Sequence, residues 1–157
     1  MSGLVRLDPT YETVMNPASI LETVLYAADL DAARAFYAGL IGLDLYSEVK
    51  DRHVFFHLGG GMLLIFNPDA TEIPARPGAL PVPPHGARGP GHVCFSASAG
   101  ELDAWRAHLT ASGIGIESEF TWPNRDAAKQ GRSIYIRDPA GNSVEFAEPR
   151  IWGIDEA

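Results

Sequence analysis

ILETVLYAADLDAARAFYAGLIGLDLYSE (residues 20–48) and GHVCFSASAGELDAWRAHLTASGIGIESE (residues 91–119) are two versions of one pattern. Aligned, Glu22 falls on His92, Asp29-Leu30-Asp31-Ala32 on Glu101-Leu102-Asp103-Ala104, and Gly42 on Gly113. Leu43, Leu45 and Glu48 match Ile114, Ile116 and Glu119, and one small insertion before Glu101 absorbs the difference in spacing. Self-similarity of this kind marks one supersecondary unit used twice. If two such units pack about a pseudo-twofold axis, equivalent strand positions meet near it. An ionisable residue at the same first-strand point in each copy is therefore the first sign of a metal-capable pair.

Within each copy the periodicity names the elements. Residues 22–26 alternate as a strand. Asp29 is a suitable N-cap for a helix over 30–40, whose apolar Leu30, Ala33, Phe36, Tyr37 and Leu40 share one face, and Gly42 is placed to end it. Strands are expected over 43–49, 52–58 and 62–66, with Gly59-Gly60-Gly61 turning between the last two. The second copy predicts a strand over 92–96, a helix over 100–111, a strand over 114–120 and a hairpin over 133–147 turning at DPAGN. The sequence thus divides into an N-terminal arm (1–17), a first βαβββ module (18–66), a linker (67–90), a second βαβββ module (91–149) and a tail (150–157). The linker is too rich in proline and glycine for a helix or central strand. The aromatic segment from Pro149 to Gly153, at the start of the tail, is expected to pack onto the domain.

Composition bounds the function. The 157 residues, 46% of them hydrophobic, suffice for one compact core. Twelve basic against twenty acidic residues give a net charge of −8, which disfavours nucleic acid and anionic membranes as partners. No apolar run is long enough to span a bilayer. The single Cys94 cannot form an internal disulfide and no secretory leader begins the chain, so a cytoplasmic location is expected.

The paired βαβββ units, the ionisable first-strand position, the Asp-Leu helix start, Phe36-Tyr37, Leu40-Ile41-Gly42-Leu43 and the closing IYIRDPAGNSVEF (residues 134–146) together resemble the vicinal oxygen chelate superfamily. That group spans glyoxalases, extradiol dioxygenases, methylmalonyl-CoA epimerase and the fosfomycin and bleomycin resistance proteins. The resemblance covers roughly residues 20–149. It implies an α+β fold in which the two modules form a curved mixed sheet around a cavity, with the helices on the outer face. It also implies metal ligands from the first and last strands of each module. Carried over, these are Glu22, His92 and Glu145, while the fourth position is Leu64 or Ile65, neither of which binds a metal. Glu22 stands where three-ligand relatives place a histidine. Two carboxylates and one imidazole suit a divalent ion such as Mn, Fe, Ni or Zn.

Strand alternation names the neighbours. With the DPAGN turn centred near Ala140, Ser133, Tyr135, Arg137 and Ser143 share the face of Glu145. With the first module's turn centred on Gly60, His53, Phe55 and His57 share the face of Ile65. Glu22, Tyr135, His53 and His57 are candidates for proton transfer, and Phe55, Arg137, His85 and Ser143 for substrate contact. His85 would fold over the cavity mouth and Arg137 lies at its edge. Cys94 shares the face of His92 and is expected to be a buried, inert thiol.

Three classes of function follow. The first is a glyoxalase-like metal-dependent lyase, isomerase or epimerase acting on a small substrate with vicinal oxygens. The second is an extradiol-type dioxygenase, weakened by Glu22. The third is a metal-free small-molecule binding protein of the bleomycin-resistance kind. A homodimer is expected because open sheet edges leave apolar strands uncovered.

Overall fold

A computed structural model describes residues 15–155, so most of the expected N-terminal arm lies outside the described residues. The repeat appears as two successive units. In the first, β1 (Glu22–Tyr26) leads to α1 (Leu30–Arg34), which widens into a π-wound continuation over Ala35–Leu40, and then to β2 (Asp44–Val49), β3 (His53–Leu58) and β4 (Gly61–Phe66). Contrary to expectation the linker begins with a one-turn helix, α2 (Pro68–Thr71), because proline is tolerated in a helix's first turn and the Asn67 side chain caps it by accepting from Asp69 N. The second unit contains β5 (His92–Ser96), α3 (Ala99–Ala111), β6 (Ser118–Thr121), β7 (Arg132–Arg137) and β8 (Ser143–Ala147). Each unit forms a four-stranded sheet, β1-β4-β3-β2 and β5-β8-β7-β6. First and last strands pair parallel and the others antiparallel, giving the expected α+β fold with curved, open sheets.

Capping chemistry sets the helix starts. Asp29 accepts the Ala32 N–H at 2.9 Å. In α3 the Ser98 hydroxyl accepts from Glu101 N at 3.3 Å while the Glu101 carboxylate accepts from Ser98 N at 2.7 Å, a reciprocal capping box. Ser98, rather than Glu101, is therefore the counterpart of Asp29, and the alignment of the two Leu-Asp-Ala runs does not hold at the caps. Gly42 and Gly113 end the helices at φ +84° and +74°. The strand expected over 114–120 is shorter. Ile114 N donates to Leu109 O at 2.9 Å, so residues leaving the helix are held there, and pairing with β7 covers only Ser118–Thr121.

Both helices lie on one side of the sheets. Phe36 and Tyr37 from the first and Leu102 and Leu109 from α3 meet Leu25, Phe56, Leu63 and Ile65, together with Ile134, Ile136, Val144 and Phe146, in one core. Burying each such side chain contributes about 1.5–3 kcal/mol. The sheets adjoin near β1 and β5. The end of β1 meets the start of β5, because a Cβ on Gly91 would stand 2.9 Å from Leu25 Cδ2, and the start of β1 shares a cavity of about 420 Å³ with Val93 and Cys94. The DPAGN turn spans this seam: the Asn142 side chain accepts from Gly91 N at 2.7 Å and donates to Tyr26 O at 3.2 Å. Asp138 accepts the Tyr37 hydroxyl at 2.8 Å.

Between residues 72 and 91 no helix or strand forms, but the segment is tied back. Arg88 bonds both Asp69 and Glu72 at 2.7 Å, and His85 N donates to Thr71 O at 3.0 Å. The tail packs differently from expectation. Ile151 and Arg150 lie against Gly131, whereas Trp152 is exposed, because the one-turn helix Pro149–Trp152 directs only one side of the tail inward. No helix among the described residues is long and apolar enough to cross a membrane.

Candidate functional site

Pairing register sets which side chains share the helix-free face. In the second sheet His92, Ser143 and Arg137 form one row, and Cys94, Glu145 and Tyr135 the next. The equivalent rows of the first sheet are Glu22, Met62 and His57, then Val24, Leu64 and Phe55, then Tyr26, Phe66 and His53. Leu64 is thus the counterpart of Glu145. The expectation that His53, Phe55 and His57 share the face of Ile65 is corrected: Leu58 pairs with Gly61 across a two-residue turn, so Ile65 opposes Val54 on the core side.

His92 and Glu145 meet. The His92 Nε2 lies 3.2 Å from Glu145 Oε2, and Nδ1 lies 3.1 Å from the carbonyl oxygen of Ser143. A carbonyl only accepts, so Nδ1 carries a proton, and in the neutral ring Nε2 then holds the lone pair. That lone pair faces a carboxylate oxygen. Such a juxtaposition requires a second proton on the ring or a cation between the two atoms. The Glu145 side chain is only 7% exposed, and its Oε1 is buried without a hydrogen-bond partner. A carboxylate short of partners beside an imidazole whose far nitrogen is fixed by a backbone carbonyl is the ligand arrangement a divalent ion uses. The pair therefore fits a metal.

Tyr135 and Cys94 flank Glu145 on neighbouring strands. Burial, with the Glu145 carboxylate adding to it, pushes each up to about 12. Tyr135 is accordingly a phenol at neutral pH, able to donate a proton but not to accept one. Contrary to expectation Cys94 is exposed, because the seam beside β1 leaves an open cavity there. Its inertness follows from the raised thiol pKa, set first by partial burial of the sulfur and then by the adjacent Glu145 carboxylate. Iodoacetamide at pH 8 is expected to leave Cys94 almost unmodified over hours, with the rate climbing as pH approaches 12. Complete alkylation within minutes at pH 8, followed by mass spectrometry, would refute this.

The remaining candidates separate into distinct settings. His53, Phe55, Phe66 and His85 form an aromatic cluster: His53 stacks on Phe55 at 3.9 Å, and Phe66 meets Phe55 at 5.0 Å and His85 at 4.8 Å. His85 reaches it from the connecting segment and is held by the Tyr26 hydroxyl at 2.6 Å from Nδ1. Burial and the nearby Arg52 push His53 below the usual imidazole range, keeping it neutral. His57 lies 3.5 Å from Asp44 and against Tyr46. Arg137 is engaged by both oxygens of Glu117 at 2.6 and 3.0 Å. Glu22 opens β1, exposed, on the helix-free side in register with Met62. Among the described residues no group of three or more His, Cys, Asp or Glu side chains stands gathered for a metal.

Sequence reasoning overlooked the row of rings beyond His92. Tyr135 is nearly parallel to His92 (6.3 Å, 22°) and to Phe120 (5.8 Å, 12°), and Trp122 braces Phe120 edge-on at 4.8 Å. Alternation along 118–120 would have placed Phe120 on that face.

A family model described as the Glyoxalase/Bleomycin resistance protein/Dioxygenase superfamily matches residues 19–146. The chain belongs to this superfamily. A crystal structure of lactoylglutathione lyase from Agrobacterium tumefaciens is 42% identical, superposes with a TM-score of 0.82 and covers 89% of this chain and 100% of its own. A glyoxalase/bleomycin resistance protein/dioxygenase from Nocardioides is 25% identical (TM-score 0.65, 87% and 86% covered). A virulence protein from Salmonella typhimurium, 21% identical (TM-score 0.63, 85% and 98% covered), shows the same fold. No curated protein matches the chain. Members of the superfamily typically use a divalent metal, bind small molecules and commonly form dimers or paired domains.

Proposed function

We propose that this protein is a glyoxalase-type, metal-dependent lyase, isomerase or epimerase acting on a small substrate with adjacent oxygens. The observation that carries this is the His92 Nε2–Glu145 Oε2 approach of 3.2 Å with Nδ1 committed to a carbonyl. His92 and Glu145 would hold the ion, and Glu22 would reach across the seam as third ligand. The ion would stabilise negative charge developing on a substrate oxygen. The remaining work falls to the chain. Glu22 Oε, at the exposed start of β1, would take the proton from carbon when it is not bound to the ion. The Tyr135 hydroxyl, still protonated at neutral pH, would donate to the oxyanion or to the leaving oxygen. Neutral His53 and the Phe55 cluster would exclude water on the first module's side. The similarity to a lactoylglutathione lyase supports this class of reaction.

A second reading, a metal-free binding protein of the bleomycin-resistance kind, is favoured by the aromatic lining formed by Phe55, Phe66 and His85. Calorimetric titration of chelator-treated protein with Mn²⁺, Fe²⁺, Ni²⁺ and Zn²⁺ separates the two. Saturable binding of one ion per site supports the enzyme, and the absence of saturation with all four supports the binder. A homodimer is also proposed, since Ile20, Leu21, Leu80 and Trp152 are exposed. Sedimentation as a monomer at micromolar concentration would remove it.

A further inference from the structure

The helix-free face of the second sheet carries more than the His92–Glu145 pair. A cavity of about 260 Å³ lies beside it, lined by Glu117, Ser118, Phe120, Tyr135, Arg137 and Ser143. It is contiguous with the pair through two strand partners, because Tyr135 sits across from Glu145 and Ser143 across from His92. Its floor is aromatic. Tyr135 and Phe120 lie nearly parallel, 12° apart, and Phe120 remains 38% exposed although Trp122 holds it from the side. Trp122 is itself fixed by its indole N–H donating to the Ser133 hydroxyl at 2.8 Å. The platform is therefore rigid on its far side and open toward the cavity.

The charges in this cavity are already spent on each other. The Arg137 guanidinium donates to both Glu117 oxygens and to Gly141 O at 3.2 Å. The hydrogen bond from Arg137, joined by its charge and opposed by partial desolvation, holds the Glu117 carboxyl below its usual range, as in a settled ion pair. A ligand group entering here meets aromatic surface and three hydroxyls, those of Ser118, Tyr135 and Ser143, with no unpaired cation among the lining residues to receive a carboxylate. An anionic peptide-like tail is poorly matched to it, whereas a neutral planar group gains ring contact worth about 0.5–1.5 kcal/mol beyond area burial.

We infer that the cavity over Tyr135 and Phe120 receives a neutral, planar, conjugated group attached directly to the substrate's chelating oxygens. This rests on the metal site proposed above and adds the class of substrate that site takes. Adjacent strands lie about 4.8 Å apart, so a ring joined to a head group at Glu145 on β8 lies over Tyr135 on β7, and a fused second ring extends toward Phe120 on β6.

Hydroxamates supply one chelating head with different tails. Their dissociation constants are measured calorimetrically on the metal-loaded full chain for acetohydroxamate, benzohydroxamate and 2-naphthohydroxamate. The expected order is naphtho tighter than benzo tighter than aceto, with about tenfold between the last two. Phe120→Leu keeps the bulk and removes the ring, and Phe120→Ala removes both. In each the naphtho-to-benzo ratio is expected to collapse toward one. Equal affinity of wild type for all three hydroxamates, or a ratio that survives both substitutions, overturns the inference while leaving metal binding intact. A protein that takes up no metal, as judged by titration with the ion alone, overturns the site reading and the inference with it.

Discussion

Replacing His92 by Ala, or Glu145 by Gln, is expected to weaken divalent metal binding at least tenfold, roughly 1.4 kcal/mol, and to remove any activity that depends on the ion. The two substitutions act differently. His92→Ala deletes the only nitrogen lone pair aimed at Glu145 and frees the Ser143 carbonyl. Glu145→Gln keeps the buried shape but replaces one anionic oxygen by an N–H₂, which would donate to the His92 Nε2 at 3.2 Å and occupy the position of the ion. The Gln variant should therefore fold at least as stably as wild type without metal, since it resolves the lone-pair conflict. Calorimetric titration alongside thermal unfolding in chelator checks both halves. Metal affinity unchanged in both variants would sink the site.

Replacing Asp138 by Ala is expected to cost about 3 kcal/mol of stability, lowering the unfolding midpoint by about 10 °C for a chain of this size. Asp138 is 5% exposed and accepts four bonds: from the Tyr37 hydroxyl at 2.8 Å, from Ala140 N at 2.9 Å, and from Asn142 N and Nδ2 at 2.8 and 2.9 Å. Removing the carboxylate leaves the Tyr37 hydroxyl and the Asn142 backbone N–H buried and unpaired. Burial and that same carboxylate hold the Tyr37 hydroxyl far above its usual range, so it stays a donor at every accessible pH. The loss extends beyond the turn, because Asn142 joins Gly91 to Tyr26 across the seam. Tyr37→Phe, which removes one donor and leaves the turn intact, should cost only about 1 kcal/mol. Denaturant unfolding that shows Asp138→Ala within 1 kcal/mol of wild type would refute the latch.

The register of the second module's closing hairpin is legible in the sequence. The period of two along residues 133–147 placed Tyr135 opposite Glu145, and β7 and β8 pair in that register. In the first module the same reasoning missed by one residue, because Gly61 belongs to β4 and not to the turn, and one residue exchanges Ile65 for Leu64. DPAGN read as only a turn. Nothing local reveals that its Asp and Asn side chains reach residues about a hundred positions away. Arg137 reads from sequence as a residue at the cavity edge, and its engagement by Glu117 depends on the β6–β7 pairing.

The sequence by itself determined the doubled βαβββ plan, the family resemblance and the shared side of the second module's closing hairpin, since these follow from side-chain period along the chain. Tertiary structure alone decided which side chains on that side touch. It set the tautomer of His92 through the Ser143 carbonyl, brought His85 onto Tyr26, and joined Tyr135 and Phe120 into a platform. Those contacts depend on strand register and on how two curved sheets abut, and distances across a fold are not encoded in spacing along a chain.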